Sequence, residues 1–120
     1  MRRFVILYPL VQRKRKSRRH VGPGVPNGLL ITQVQRQTDG LRIYFAGNVA
    51  WNGLDVPSAF RADTSDGPLD GCINVLGTGP NWIEVEFNGS VSVGADWEVD
   101  APMAGISPAV AYPQLGKVTA

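Results

Sequence analysis

The sequence has one cysteine, Cys72, and one histidine, His20, among its 120 residues. One cysteine cannot form an internal disulfide, and one histidine near the N-terminus cannot supply a histidine-rich metal site or a Ser/His/Asp triad in the remaining chain. Cys72 therefore has no histidine to activate its thiol. We expect a protein that is not an enzyme, that binds no metal or cofactor and that is stabilised by packing.

Long apolar stretches with helical spacing are also missing from the sequence. Fourteen glycines and nine prolines instead separate short segments in which apolar and polar residues alternate, as is typical of strands joined by turns. In residues 41–45 and 82–87 the apolar side chains alternate and so share one face of each strand. The pair Asn88-Gly89 predicts a tight turn that joins the second of these strands to a returning strand at residues 90–93.

About seven such strands predict an all-β fold of the Ig-like β-sandwich type, with a small closed barrel as the alternative. The predicted organisation has three parts. Residues 1–28 form an extended basic N-terminal arm, residues 29–101 form the β-sandwich domain, and residues 102–120 form an extended proline-rich tail. Residues 64–71, which contain two Asp-Gly pairs, are expected to be a loop at one end of the sandwich.

An apolar strand at residues 29–34 leads through Asp39-Gly40 into Leu41-Arg42-Ile43-Tyr44-Phe45, and Phe60-Arg61-Ala62 follows later. This succession resembles the opening of Ig-like and fibronectin-III-like modules of bacterial and phage surface or virion proteins. The resemblance covers about a third of the chain. It implies a binding or structural module and brings no catalytic residue with it.

Charge is distributed very unevenly along the chain. Residues 1–20 hold eight basic side chains and no acidic one, whereas residues 21–120 hold four basic and ten acidic ones, so the net charge of +2 is the sum of +8 and −6. Such asymmetry separates a basic arm from an acidic body and predicts an electrostatic partner for the arm.

The basic charge is densest in residues 13–20, where self-repulsion keeps a chain extended until it is neutralised. Two partners fit this segment: carboxylates of neighbouring protein subunits, including copies of this chain, or the phosphates of a nucleic acid. No aromatic residue interrupts the segment to stack on bases. The predicted partner-binding or nucleic-acid-binding residues are Arg13, Lys14, Arg15, Lys16, Arg18 and Arg19.

An apolar segment, residues 4–8, precedes the basic one. With its continuation to Val11 it is far shorter than the roughly twenty residues that span a bilayer, so no membrane partner is expected. Its β-branched and aromatic residues predict a short strand that is added to the body or to a neighbouring chain, the alternative being a loose tail. The predicted interface anchors are Phe4, Ile6, Tyr8 and Trp82; Trp82 either is exposed or covers an end of the sandwich.

The carboxylates of the body have less specific patterns. Asp63, Asp66 and Asp70 lie near glycines, but their spacing differs from that of a calcium loop and is explained by turns. Glu84 and Glu86 share the polar face of one strand and are expected to be solvated.

These features together favour a structural protein of an assembly such as a phage or virus particle, with other structural proteins or its own copies as partners. The alternative is a cytoplasmic nucleic-acid-binding protein, ribosome-associated or involved in packaging, that uses the arm as its binding element.

Overall fold

A computed structural model describes residues 27–120 of the chain, and this part is all-β, without a helix. Its ten strands are β1 (Ile31–Arg36), β2 (Leu41–Phe45), β3 (Ala50–Trp51), β4 (Phe60–Thr64), β5 (Gly67–Gly71), β6 (Asn74–Thr78), β7 (Trp82–Glu86), β8 (Asp96–Val99), β9 (Ile106–Ser107) and β10 (Gln114–Lys117). Residues 27–120 accordingly offer no helix long and apolar enough to cross a membrane.

The strands form two four-stranded antiparallel sheets and one small pair. Sheet one has the order β1-β2-β7-β6, sheet two has the order β10-β8-β4-β5, and β3 pairs with β9. As the sequence predicts, a turn containing Asp39-Gly40 joins β1 to β2, and the structure pairs these two strands antiparallel. The prediction of an all-β fold is confirmed.

One apolar core lies between the two sheets, which gives the fold a sandwich-like arrangement. In β2 and β7 every second side chain is buried, namely Leu41, Ile43, Phe45, Ile83 and Val85. Sheet two contributes Phe60, whose ring is 5.8 Å from Trp97 and 6.2 Å from Phe87, measured between centroids. The alternating pattern in the sequence therefore identifies the inner faces of these strands correctly.

The predicted hairpin across Asn88-Gly89 is wrong. Strand β7 pairs with β2 on one side and with β6 on the other, so neither side remains for a returning strand. The chain instead crosses to sheet two, where Ser90 accepts a hydrogen bond from the backbone N–H of Ser65 (2.9 Å) and donates one to the Ser65 hydroxyl (3.0 Å). These contacts connect the segment after β7 to the turn between β4 and β5.

Residues 102–120 differ from the predicted extended tail. Within them β9 pairs with β3, and β10 pairs with β8 at one edge of sheet two. Thr119 then forms a parallel bridge with β1, with backbone hydrogen bonds of 2.8 and 2.9 Å to Val34 and Arg36. The prolines lie between these short pairings and so do not interrupt them.

The segment predicted as a loop at residues 64–71 is also partly a strand. β5 pairs with β4 and forms an edge of sheet two, with an irregular register between Ala62 and Thr64. The two Asp-Gly pairs and Pro68 favour turns. The residues between the two pairs are nevertheless extended, because they pair with β4.

Candidate interaction surfaces

Nine of the ten predicted contact residues lie outside the described residues. These are the six cations Arg13, Lys14, Arg15, Lys16, Arg18 and Arg19 and the three apolar residues Phe4, Ile6 and Tyr8. Trp82, the tenth, is described, and so are the surfaces of the body that these residues could meet.

Trp82 is part of a cluster on the outer face of sheet one. Its indole ring is partly exposed, and the guanidinium carbon of Arg42 lies 3.9 Å from its ring centroid. Arg42 also donates hydrogen bonds of 3.0 and 3.3 Å to one carboxylate oxygen of Glu84, directly across from it on β7. Stacking and ion pairing together hold this arginine in one orientation.

The other side of Trp82 lies over two glycines. A Cβ atom added to Gly79 would lie 2.1 Å from the indole nitrogen, and one added to Gly77 would lie 3.9 Å from the ring. The indole therefore reaches across the backbone of β6 and takes the space that side chains at these positions would fill. Trp82 is thus partly exposed, and its indole covers Gly77 of β6 and Gly79 of the β6–β7 turn.

The Arg42 cluster continues along the same face. The hydroxyl of Tyr44 donates a 3.3 Å hydrogen bond to the side chain of Gln35 on β1. Hydrogen bonding with Tyr44 and with Glu84 raises the pKa of Arg42 above its ordinary value, so the guanidinium remains charged over the whole physiological range. Three strands thus present a polar and aromatic face with one fixed cation.

Negative charge is concentrated on sheet two. Sheet two, with the turn after β4 and the residue after β8, has six carboxylates and two cations, a net charge of −4, whereas sheet one with its first turn has three carboxylates and two cations, a net charge of −1. The six carboxylates are Asp63, Asp66, Asp70, Asp96, Glu98 and Asp100. A polycation that approached the body would be drawn toward this sheet.

Two of these carboxylates are buried beside an arginine. Glu98 is 5% exposed and Asp100 is 4% exposed. One terminal nitrogen of Arg61 lies 3.1 Å from Glu98 and 2.8 Å from Asp100. Buried charges are tolerated when they are paired and hydrogen-bonded, so this cluster has a structural role in sheet two.

Two of the three carboxylates of the β4–β5 hairpin accept hydrogen bonds within the hairpin. Asp63 accepts a 3.0 Å hydrogen bond from the backbone N–H of Leu69, and Asp70 accepts one of 2.9 Å from the hydroxyl of Thr64. Over residues 27–120, no three His, Cys, Asp or Glu side chains are grouped so that they could hold a metal ion. The hydrogen bonds explain why acids are placed in this hairpin.

Cys72 is buried, and its thiol donates a 3.2 Å hydrogen bond to the carbonyl of Pro57. Burial raises the pKa of this thiol to about 12, from an ordinary value of 9.0. The reactive thiolate is therefore scarce in the folded protein.

We expect Cys72 to remain unlabelled by a chromogenic disulfide reagent in the native protein at mildly alkaline pH, and to react at once in concentrated guanidinium chloride. Above pH 9 the unfolded chain ionises this thiol while the folded chain does not until about pH 12, so this group lowers the free energy of unfolding as the pH rises. A Cys72→Ala variant should lose that part of the pH dependence. Rapid labelling of the native protein would contradict the burial argument.

The sequence indicates no role for several charged residues of these surfaces, among them Arg42, Arg61, Glu98 and Asp100. The alternation in β2 places Arg42 on a polar face, but its contact with Trp82 depends on β2 and β7 being neighbours. Arg61 likewise meets Glu98 only because β4 pairs with β8. Sequence spacing carries no signal for either pairing.

No protein-family model, no curated protein and no solved structure matches this chain.

Proposed function

We propose that this chain is a non-enzymatic structural protein of a macromolecular assembly, specifically of a phage or virus particle. In this role an Ig-like β-sandwich docks on the particle as a minor capsid, decoration or head-to-tail protein. The basic N-terminal arm reaches into neighbouring subunits, which include other copies of the chain. The protein then resides in the virion.

The observation that carries the proposal is the separation of charge between arm and body. Residues 1–20 have a net charge of +8 and the rest of the chain has −6. Most of that negative charge belongs to sheet two, with a net charge of −4. Complementary surfaces on one chain favour contacts between copies, and such contacts gain strength when many repeat in one assembly.

The reach of the arm supports contact across a subunit boundary. Fully extended, twenty residues span on the order of 65 Å, at about 3.3 Å per residue. The acidic residues of the body are compatible with a structural role as well: Glu84, Glu98 and Asp100 pair with arginines, and Asp63 and Asp70 form hydrogen bonds within their own hairpin.

A second candidate is a cytoplasmic nucleic-acid-binding protein, ribosome-associated or involved in packaging, in which the arm is itself the binding element. The observation that favours it is the density of six cations within residues 13–20. If all six met phosphates, the logarithm of the binding constant would fall with the logarithm of the salt concentration with a slope of about −5.

The two candidates differ in how the full-length protein behaves in solution. We expect it to self-associate in sedimentation velocity, with an affinity that falls between about 50 mM and 200 mM NaCl. Replacing the six cations with glutamine should abolish the salt-dependent association. An Asp63→Asn/Asp96→Asn variant should weaken it, since both carboxylates belong to sheet two.

Asp55→Asn is the matched control, because Asp55 lies in the loop between β3 and β4 and outside sheet two. Duplex DNA is titrated in parallel by fluorescence anisotropy. Tight DNA binding with a slope of about −5, together with a monomeric protein, would reject the structural role in favour of nucleic-acid binding. Absence of both activities would reject both candidates.

A further inference from the structure

Strand β6 forms an open edge of sheet one. Among residues 27–120 it pairs with β7 alone, whereas the opposite edge, β1, is bridged by Thr119. An edge strand has backbone N–H and C=O groups directed away from its sheet, and these groups can pair with a strand of another chain. The exposed side of β6 is therefore a place where a strand could be added.

Strand β5, an edge strand of sheet two, shows how this chain protects an exposed edge. Strand β5, the adjacent edge of sheet two, contains Pro68, Asp70 and Leu69, whose φ of 50° breaks the extended backbone. These are devices that prevent strand addition. Strand β6, with the sequence NVLGT, has neither proline nor charge, and its register with β7 shifts between Val75 and Gly77.

Apolar side chains surround the open edge on both faces of the sheet. Val75 is partly buried and packs against the core on the inner side. Ile73 and Leu76 are 45% and 41% exposed. On the outer face the Trp82 indole extends over Gly77 and Gly79 toward the edge. An incoming strand would thus bury apolar surface in addition to forming backbone hydrogen bonds.

We propose that residues 4–8 of a second copy of this chain add to β6 as a further strand. The segment Phe4-Val5-Ile6-Leu7-Tyr8 has five residues, as β6 does, and consists entirely of apolar and aromatic residues of the kinds that favour strands. Side chains alternate, so Phe4, Ile6 and Tyr8 share one face and suit the Trp82 side of the edge. Val5 and Leu7 then face Val75 and the core.

The connection between the two segments favours a second copy over the same chain. The start of β1 lies at the same end of sheet one as the β6–β7 turn, because Ala46 bonds to Leu30 and Phe45 bonds to Asn81. The β6 edge of the same chain is therefore only three strand spacings from β1, about 14 Å. Residues 9–28, with their six cations, would have to fold back over loops 46–49 and 79–81, which contain no carboxylate. Folding back would crowd these six cations together, whereas an extended connector to a neighbouring subunit keeps them apart.

This contact rests on the proposed assembly role and specifies its partner, and it differs from the charge contact in its response to salt. At about 1 M NaCl exposed charges are screened beyond about 3 Å, whereas burial of apolar surface persists. We expect the full-length protein to retain self-association at that salt concentration. Leu76→Lys and Ile6→Pro should each weaken the residual association by about tenfold or more, because a charge or a proline opposes strand addition.

Leu54→Lys is the matched control, since Leu54 is 82% exposed in a loop away from β6. Thermal unfolding verifies that each variant is folded. In native hydrogen exchange, the β6 amides that point away from β7 should become protected as protein concentration rises. Leu76→Lys should remove that protection.

Equal association of the Leu76→Lys and Leu54→Lys variants would overturn the inference. The proposed function would still stand if association at low salt depends on the six cations. Protection of β6 that is independent of concentration in a monomeric protein would also overturn it, because the donor would then be the chain's own arm. A protein that does not associate at any salt concentration would contradict both the contact and the assembly role.

Discussion

Replacing Arg61 with methionine is expected to lower the free energy of unfolding by about 3 to 5 kcal/mol. The substitution removes the guanidinium that lies between Glu98 and Asp100, two carboxylates that are 5% and 4% exposed. Without it, two like charges remain close together in a poorly solvated part of sheet two. Denaturation by urea, followed by tryptophan fluorescence, measures the effect.

Two further variants test whether charge is the cause. Lys117→Ala breaks an ion pair with Asp96 whose side chains are 68% and 54% exposed, and it should cost at most about 1 kcal/mol. Adding Glu98→Gln and Asp100→Asn to Arg61→Met should restore a large part of the lost stability. If the triple variant is as unstable as Arg61→Met alone, lost packing around residue 61 is the cause instead.

Gly40→Ala is expected to destabilise the fold by about 3 kcal/mol, although replacing glycine with alanine at an unstrained site commonly stabilises a protein. A Cβ atom at this position would lie 1.9 Å from the carbonyl oxygen of Val85 and 2.9 Å from its carbonyl carbon. Val85 belongs to β7, which is paired on both sides, so its backbone has little freedom to move.

Gly47→Ala is the comparison for this glycine. An added Cβ would make an ordinary contact of 3.5 Å with a methyl group of Leu29, so we expect no loss or a gain of about 0.5 kcal/mol in the free energy of unfolding. Thermal and urea denaturation should therefore show a large loss of stability for Gly40→Ala and none for Gly47→Ala. Similar effects at both positions would show that the Val85 backbone yields easily.

The sequence is informative wherever structure is decided by neighbours along the chain. Alternation in β2 and β7 identifies the inner residues, including Leu41, Ile43 and Ile83, all completely buried. The Asp39-Gly40 turn and the hairpin around it also follow from local chemistry. Gly40, however, is constrained by a second requirement, the close approach of Val85, which turn preferences do not reveal.

Pairing between distant segments is what local patterns leave undetermined. Asn88-Gly89 has the composition of a hairpin turn, yet β7 pairs with β2 and β6, and the chain continues into sheet two. The sequence does not predict the strands after residue 101 for the same reason, since β10 forms by pairing with β8 at an edge of sheet two. Backbone pairing partners compete with local propensity, and long-range pairing decides the result.

The same distinction between local pattern and long-range pairing applies to the interaction surfaces. Trp82 and Glu84 can be placed on a polar face by counting residues along β7. Their fixed partner Arg42, and the glycines beneath the indole, follow from the order of strands in sheet one. An arm of cations and an acidic body are visible in the composition, but the concentration of negative charge on sheet two depends on which strands meet.

Thr119 bridges β1 at one edge of sheet one, so within residues 27–120 this sheet keeps β6 as its acceptor edge. In an assembly built through β6, each copy gives one strand and receives one strand at a different place on its surface. Such a contact is heterologous and has a direction, so repeating it produces a ring when the rotation closes and a filament when it does not. Two copies that exchange strands reciprocally instead form a closed pair.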